Sequence, residues 1–284
     1  MTSKQRIIRF FCISLGMLLC SCAAFQPPDS GGPRSSGPLY PILFTEQAQR
    51  TDAANLAFSR LTQTPSAQTS VQLQPITAAI QSLPANLSAP LYLPKVGINP
   101  EMNEEETRES LRRFITDWRV LIGANPEQLS LVERSDRPDG VKVARYEQRP
   151  FRYPLRGGYG SLEIQFLANR VVRNMSSTCL PDTERLQTLL APVTPKLTAA
   201  EAINVVRSSD IVYTDRSGQQ VTARVGASEE ATPVELVTLV FPTSGRTDAL
   251  ELHIAWEISV GTGPRRLIYV DAVEGKALRA ILAI

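Results

Sequence analysis

"LELHIAWEISV", residues 250–260, is the stretch on which the fold turns. Leu250, Leu252, Ile254, Trp256, Ile258 and Val260 alternate with Glu251, His253, Ala255, Glu257 and Ser259. A period of two sustained over this length predicts a long β-strand with one face on a core and the other turned to water. "RRLIYVDAVEGKALRAILAI" (265–284) follows as a strand, a tight turn at 271–276 and a second short strand. Upstream, strands are expected at about 219–225 and 234–241. Thr198 and Glu201 form a capping box that opens the helix "AAEAINVVRSS" (199–209). A helix followed by antiparallel strands makes residues 196–284 an α+β unit.

The same order occurs once before. Asn103 and Glu106 cap a helix whose Leu111, Phe114, Ile115, Trp118, Leu121 and Ile122 step along one face until Gly123 and Pro126 stop it. Four strands follow: "LSLVER", "VKVARYEQ", "SLEIQFL" and "VVRNMSS". Pro-Asp-Gly at 138–140 and "ANR" at 168–170 supply turns. The apolar period of the second strand slips between Val143 and Tyr146, the mark of a bulge nearby. A helix over 46–62, carried by Ala54, Phe58 and Leu61, and a strand at 71–75 precede this core. The fold class is therefore α+β in two units, each a helix packed on a curled antiparallel sheet. The first unit is drawn as 46–178 with its core at 104–178, the second as 196–284, with 179–195 as the linker.

The N-terminus is an address. Lys4, Arg6 and Arg9 precede an apolar run from Phe10 to Leu19, then small residues, the layout of a secretory signal over 1–21. The run is about half of what spans a bilayer. Leu19-Cys20-Ser21 before Cys22 resembles the lipobox of bacterial lipoproteins. That resemblance makes Cys22 the acylated first residue, since each buried methylene of an acyl chain contributes ~0.8 kcal/mol. Ala23 after it favours the periplasmic side of an outer membrane in a cell with two membranes. The alternative is cleavage after Ala23 or Ala24 and a secreted protein. Residues 22–45, rich in Pro, Gly and Ser at first, read as a lipidated tether.

The chain has 30 basic and 28 acidic side chains. Three of the bases lie in 1–21, which contains no acid, so the remainder is one charge negative and offers no phosphate-tracking surface. Nucleic acid is not an expected partner. Three of the four cysteines lie within the first 22 residues, leaving Cys179 as a lone, small residue expected to be buried or half-buried. No metal, cofactor or catalytic residue is expected. The single histidine, His253, cannot make the HExxH pair of a zinc peptidase. No G-x-S-x-G elbow accompanies it, and its place on the polar face of the strand predicts an exposed side chain. Glu251 and Glu257, about 20 Å apart along the strand, are too far apart to work as a pair and are expected to be solvated.

Two families share these motifs. "VLIGANPEQLSLV", "ARYEQRPFRYPLRGGYGSLEIQF" and "NRVV" resemble the FTP domain, the fungalysin/thermolysin-type propeptide. Arg152 and Tyr153 stand where a Gly is usual, so the local turn departs from that pattern. "LTAAEAI", "LHIAWEISV" and "IYVDAVEGKAL" resemble a PepSY domain. Together these resemblances cover about 160 residues and imply a cystatin-like, PepSY-like fold. In secreted metallopeptidases such a propeptide precedes the enzyme, covers its cleft and assists its folding. Here eight residues follow Lys276. The resemblance thus implies a propeptide-like binding module that inhibits or chaperones a separate secreted metallopeptidase. The alternative is a structural or assembly lipoprotein that docks other envelope proteins.

Overall fold

The computed structural model describes residues 39–63, 71–85, 87–99, 101–214, 218–262 and 265–282. The signal segment, Cys22 and the tether to residue 38 lie outside the described residues. Among the described residues the fold is α+β, with four α-helices and sheets that are antiparallel except for one short parallel pairing.

Helix α1 (Ala48–Thr62) and helix α2 (Glu104–Ile122) carry the first core. At the start of α2 the Asn103 carboxamide oxygen accepts from the Glu106 amide at 2.9 Å, and the Glu106 carboxylate accepts from the Asn103 amide at 2.8 Å. This satisfies two of the orphan amides of the first turn. The helix ends at Gly123, whose φ of 78° is left-handed; a Cβ there would sit 3.2 Å from the Cys179 carbonyl oxygen. The expected apolar face of α2 is buried, together with Ala54 and Phe58 of α1. Trp118 meets Phe58 edge-on at 6.3 Å and stacks on Phe114 at 5.3 Å. A small hairpin, β2 (Gln72–Leu73) and β3 (Ile80–Ser82), adds Ile80 to the same core.

Beneath α2 lie β4 (Leu129–Asp136), β5 (Val141–Gln148), β7 (Ser161–Leu167) and β8 (Val172–Ser177), in that spatial order and antiparallel. Ala144, Tyr146, Leu162, Ile164 and Phe166 face the helix. The slip read in β5 belongs to its partner: the register shifts between Leu131 and Glu133 of β4, opposite Tyr146 and Arg145. The connection between β5 and β7 contributes β6 (Leu155–Arg156), which leaves this sheet.

The second sheet takes β6 as an edge. Its strands are β11 (Ala231–Pro242), β12 (Ala249–Val260), β13 (Arg266–Asp271) and β14 (Ala277–Leu282), in the order β14-β13-β12-β11-β6. Helix α4 (Ala199–Ser208), capped by Thr198 and Glu201 as the sequence predicts, lays Ala202 and Val206 on Ile258, Ile268 and Val270. The hairpin β9 (Asp210–Thr214) and β10 (Gln220–Arg224) completes this layer.

Strands β3, β6 and β9 are not among those expected from the sequence, and two further segments differ from its division into tether and linker. Residues 42–45, placed in the tether, form β1 (Ile42–Thr45), antiparallel to β12, with Ile42 and Phe44 buried. Four residues are too few for a period of two to stand out beside a Pro-rich stretch. Within 179–195, read as a linker, Thr183–Leu190 is helix α3. Leu180, Leu186, Leu190 and Val193 join Ile42, Phe44, Leu250 and Leu252 in one core, because apolar residues at helical spacing bury whatever their flanking prolines.

In both larger sheets the register shifts fall in the pairings β4–β5, β7–β8, β11–β12 and β13–β14, whereas β5–β7 and β12–β13 run without a slip. Bulges on β4, β8 and β14 twist those edges and blunt them against pairing with another chain, whereas the short edge strands β1 and β6 pair without a slip. Among the described residues no helix is long and apolar enough to cross a membrane.

Candidate functional site

Strand β12 has β11 along one side. Its other side is shared end to end: β1 pairs with Ala249–Leu252 and β13 with Ala255–Val260. The two neighbours leave an interruption at His253 and Ile254, and a buried polar network fills it.

Asp271, the last residue of β13, is fully buried. One carboxylate oxygen accepts from the amides of Val273 at 2.7 Å and Glu274 at 2.8 Å, which shapes the turn of "DAVEGK". The other accepts from the Tyr40 hydroxyl at 3.0 Å and from His253 Nδ1 at 2.6 Å. Tyr40 Oη in turn accepts from the Ile254 amide at 3.0 Å, so the phenol takes the backbone donor that a continuous strand would have bonded. The Ala272 amide covers the Ile254 carbonyl at 2.8 Å. On its far side His253 Nε2 meets Glu251 at 3.1 Å. The imidazole stacks on Phe241 at 5.2 Å and meets the Tyr40 ring edge-on at 5.6 Å.

The charges follow from these contacts. Burial alone would depress the His253 pKa, but the hydrogen bonds to Asp271 and Glu251 outweigh it and raise it above the ordinary 6.5. Burial alone would raise Asp271, but His253, the two turn amides and Tyr40 hold it below the ordinary 3.8. Burial, then the nearby Asp271 charge, push the Tyr40 phenol far up. The arrangement is an imidazole held between two carboxylates, which favour its protonated form, with the Tyr40 phenol as donor to Asp271. Both ring nitrogens face carboxylate oxygens, so the protonated ring spends both of its N–H groups within the network. Its chemistry is cohesion: it ties β12, β13, the 271–276 turn and the lead into β1 at one point.

His253 and Glu257 correct the sequence reading. His253 is 3% exposed and Glu257 5%, not solvated, because side chains of the neighbouring strands β11 and β13 crowd that face of β12. Val237, Leu239, Ala255 and Tyr269 form an apolar cluster on that face. Glu257 faces Arg156 Nε at 3.3 Å and lies opposite Tyr269 in the strand pairing. Glu251 is half-buried against His253. The spacing that kept Glu251 and Glu257 apart stands, and neither works on the other. Cys179 is buried, and burial pushes its thiol up to about 12, as an inert core residue requires. Among the described residues no cluster of three or more His, Cys, Asp or Glu is placed to hold a metal ion. Cys22, the expected lipid attachment point, lies outside the described residues.

Asp271 was legible, since it heads the quoted hairpin motif. Tyr40 was not, because nothing in "SSGPLYP" marks a tyrosine that will reach a strand 214 residues away.

No family model matches the chain, and no curated protein matches it. Among solved structures it is similar to the Bacillus megaterium YpeB C-terminal domain, with a TM-score of 0.29 at 13% identity over 66% of this chain and 68% of that one. That likeness is too distant to transfer function. The FTP and PepSY resemblances rest on the motifs quoted above.

Proposed function

We propose that this chain is a non-catalytic protein of the bacterial cell envelope, held to a membrane by acyl groups on Cys22, that acts as a propeptide-like binding module toward a separate secreted peptidase. The observation that carries the reading is the Asp271 network. The hairpin motif that bears the PepSY resemblance is also where the buried titratable groups converge, and their hydrogen-bonding capacity is spent on cohesion. A site that holds its own sheet together in this way supports binding by shape over turnover.

The bulged outer strands bear on how such binding would occur. Strand addition at a sheet edge is one route for a propeptide-like module. Bulges on β4, β8 and β14 disfavour it at those edges, and docking through a face or a loop is the other route. The same feature is what an assembly lipoprotein would use, so that second reading is kept.

The test is inhibition and complex formation between the full chain and secreted metallopeptidases of the same cell. Stoichiometric inhibition, or faster recovery of refolded enzyme, supports the peptidase reading. Absence of both with every such enzyme overturns it in favour of assembly. The anchor is tested by palmitate labelling and fractionation: Cys22→Ala is expected to abolish the label and release the protein from membranes. A mature N-terminus at Ala24 or Phe25 would refute the anchor.

A further inference from the structure

The β5–β7 connection, "RPFRYPLR" at 149–156, separates two cavities. It is fixed on both flanks. The Thr238 amide donates to the Pro154 carbonyl at 2.8 Å and the Thr238 hydroxyl to the Tyr153 carbonyl at 3.3 Å; Gln187 of α3 donates to the Pro150 carbonyl. On one side lies a cavity of about 370 Å³, walled by Phe151, Tyr153, Leu190, Ala191, Val193 and Ile254. On the other lies a polar groove of about 680 Å³. The first is at the small end of the range in which proteins hold compact ligands, and its walls are largely apolar.

The three arginines of this connection differ in their partners. Arg149 meets Glu147 at 3.0 Å. Arg156 meets Glu235 at 2.7 Å and Glu257 at 3.3 Å. Arg152 has no carboxylate within ion-pair distance among the described residues. Its guanidinium rests 5.3 Å above the Tyr153 ring, and it borders both cavities. Stacking on an aromatic ring holds an exposed guanidinium in place without consuming its hydrogen bonds. The result is an exposed guanidinium, without an acid of its own, at the rim of an apolar cavity.

We propose that this cavity binds the carboxy-terminal residue of a partner polypeptide that ends in a bulky apolar side chain. The side chain fills the space between Leu190, Val193 and Ile254, and the terminal carboxylate pairs with Arg152. A terminal residue carries its carboxylate and its side chain on the same carbon, which matches a cation and an apolar wall that share one loop. A carboxylate is also the partner whose planar pair of oxygens fits a guanidinium's two parallel donors. This site goes beyond the peptidase reading and does not depend on it.

Fluorescence anisotropy on the full chain tests the proposal, using a fluorescein-labelled Gly/Ser octapeptide that ends in leucine. The free acid is expected to bind about tenfold more tightly than its carboxamide, the loss of one charge-assisted pair. Arg152→Gln is expected to erase that difference, and Ala191→Phe, an exposed wall residue, to weaken acid and amide alike by filling the cavity. Equal binding of acid and amide, no binding up to about 1 mM, or an unchanged preference in Arg152→Gln overturns the proposal. So does displacement by a C12 fatty acid of a probe whose leucine can be replaced by aspartate without loss, since that outcome assigns the cavity to lipid. Peptide binding without peptidase inhibition would leave this site standing while removing the peptidase reading.

Discussion

Replacing Asp271 with Asn removes one negative charge from the centre of the network at almost no change in volume. Four donors converge on the native carboxylate, at 2.6 to 3.0 Å. The asparagine carbonyl can still accept from the Val273 and Glu274 amides, so the turn keeps its two bonds. The NH2 group would then point at His253 Nδ1, donor against donor, and the imidazolium must shed its proton or break away. Deleting one partner of a buried charged pair costs about 3–5 kcal/mol, and the retained turn bonds place this variant near the lower end, about 3 kcal/mol. For a chain of this size about 2–4 °C of melting temperature goes with each kcal/mol, so a fall of about 6–12 °C is expected. The assay is urea unfolding followed by circular dichroism on wild type, Asp271→Asn, His253→Gln and the double variant. If the network acts as a unit the double variant loses less than the sum of the singles, with a coupling of about 1.5–3 kcal/mol. A loss below about 0.5 kcal/mol for Asp271→Asn, or strict additivity, would refute the reasoning.

Three further outcomes follow from the same geometry. The stabilising contribution of His253, whose pKa is raised, is full below 6.5 and lost as pH rises through the raised value; that of Asp271, whose pKa is lowered, is full above 3.8 and lost as pH falls through the depressed value. The gap in urea midpoint between wild type and Asp271→Asn is therefore expected to be widest between those limits and to narrow toward both ends; a gap that grows steadily with pH would contradict it. Gly157 has φ +96°, and a Cβ on it would lie 1.9 Å from the Val240 carbonyl oxygen, so Gly157→Ala should pull β6 from β11 and cost about 2–3 kcal/mol in a thermal melt. Gly158→Ala, with φ +89° and nothing within 4 Å, should cost only about 1 kcal/mol, and equal losses would show that the contact with β11 is unimportant. Removing residues 1–45 strips Ile42 and Phe44 from the core, an expected loss of about 3–6 kcal/mol with partial aggregation; an unchanged melting temperature would mean β1 is dispensable.

Local rules carried much of the architecture. Asn103 with Glu106, and Thr198 with Glu201, announce their helices because a capping box is a contact between residues three apart. Leu250 to Val260 announces its strand because alternation is a local pattern, and the Asp271 turn is written in six consecutive residues. The failures share one cause. His253 and Glu257 lie on the face that alternation assigns to water, and that assignment holds only if nothing covers the face. Val237 and Leu239 of β11 and Tyr269 of β13 crowd it as cross-strand neighbours. β1 is four residues long, and its apolar pair has no meaning until Leu250 and Leu252 are beside it.

The sequence by itself thus determined three of the four helices of the described residues, most of the strands, the α+β class and an expected export address, all of which depend on neighbours a few positions apart. Only the tertiary structure decided that Tyr40 closes an interruption beside β12, that His253 is buried between two carboxylates, and that Arg152 stands without an acid beside an apolar cavity. Each of those depends on which groups meet across long chain separations, 214 residues between Tyr40 and Ile254. Burial and the charge of a titratable group are properties of the assembled surroundings, and no local pattern encodes them.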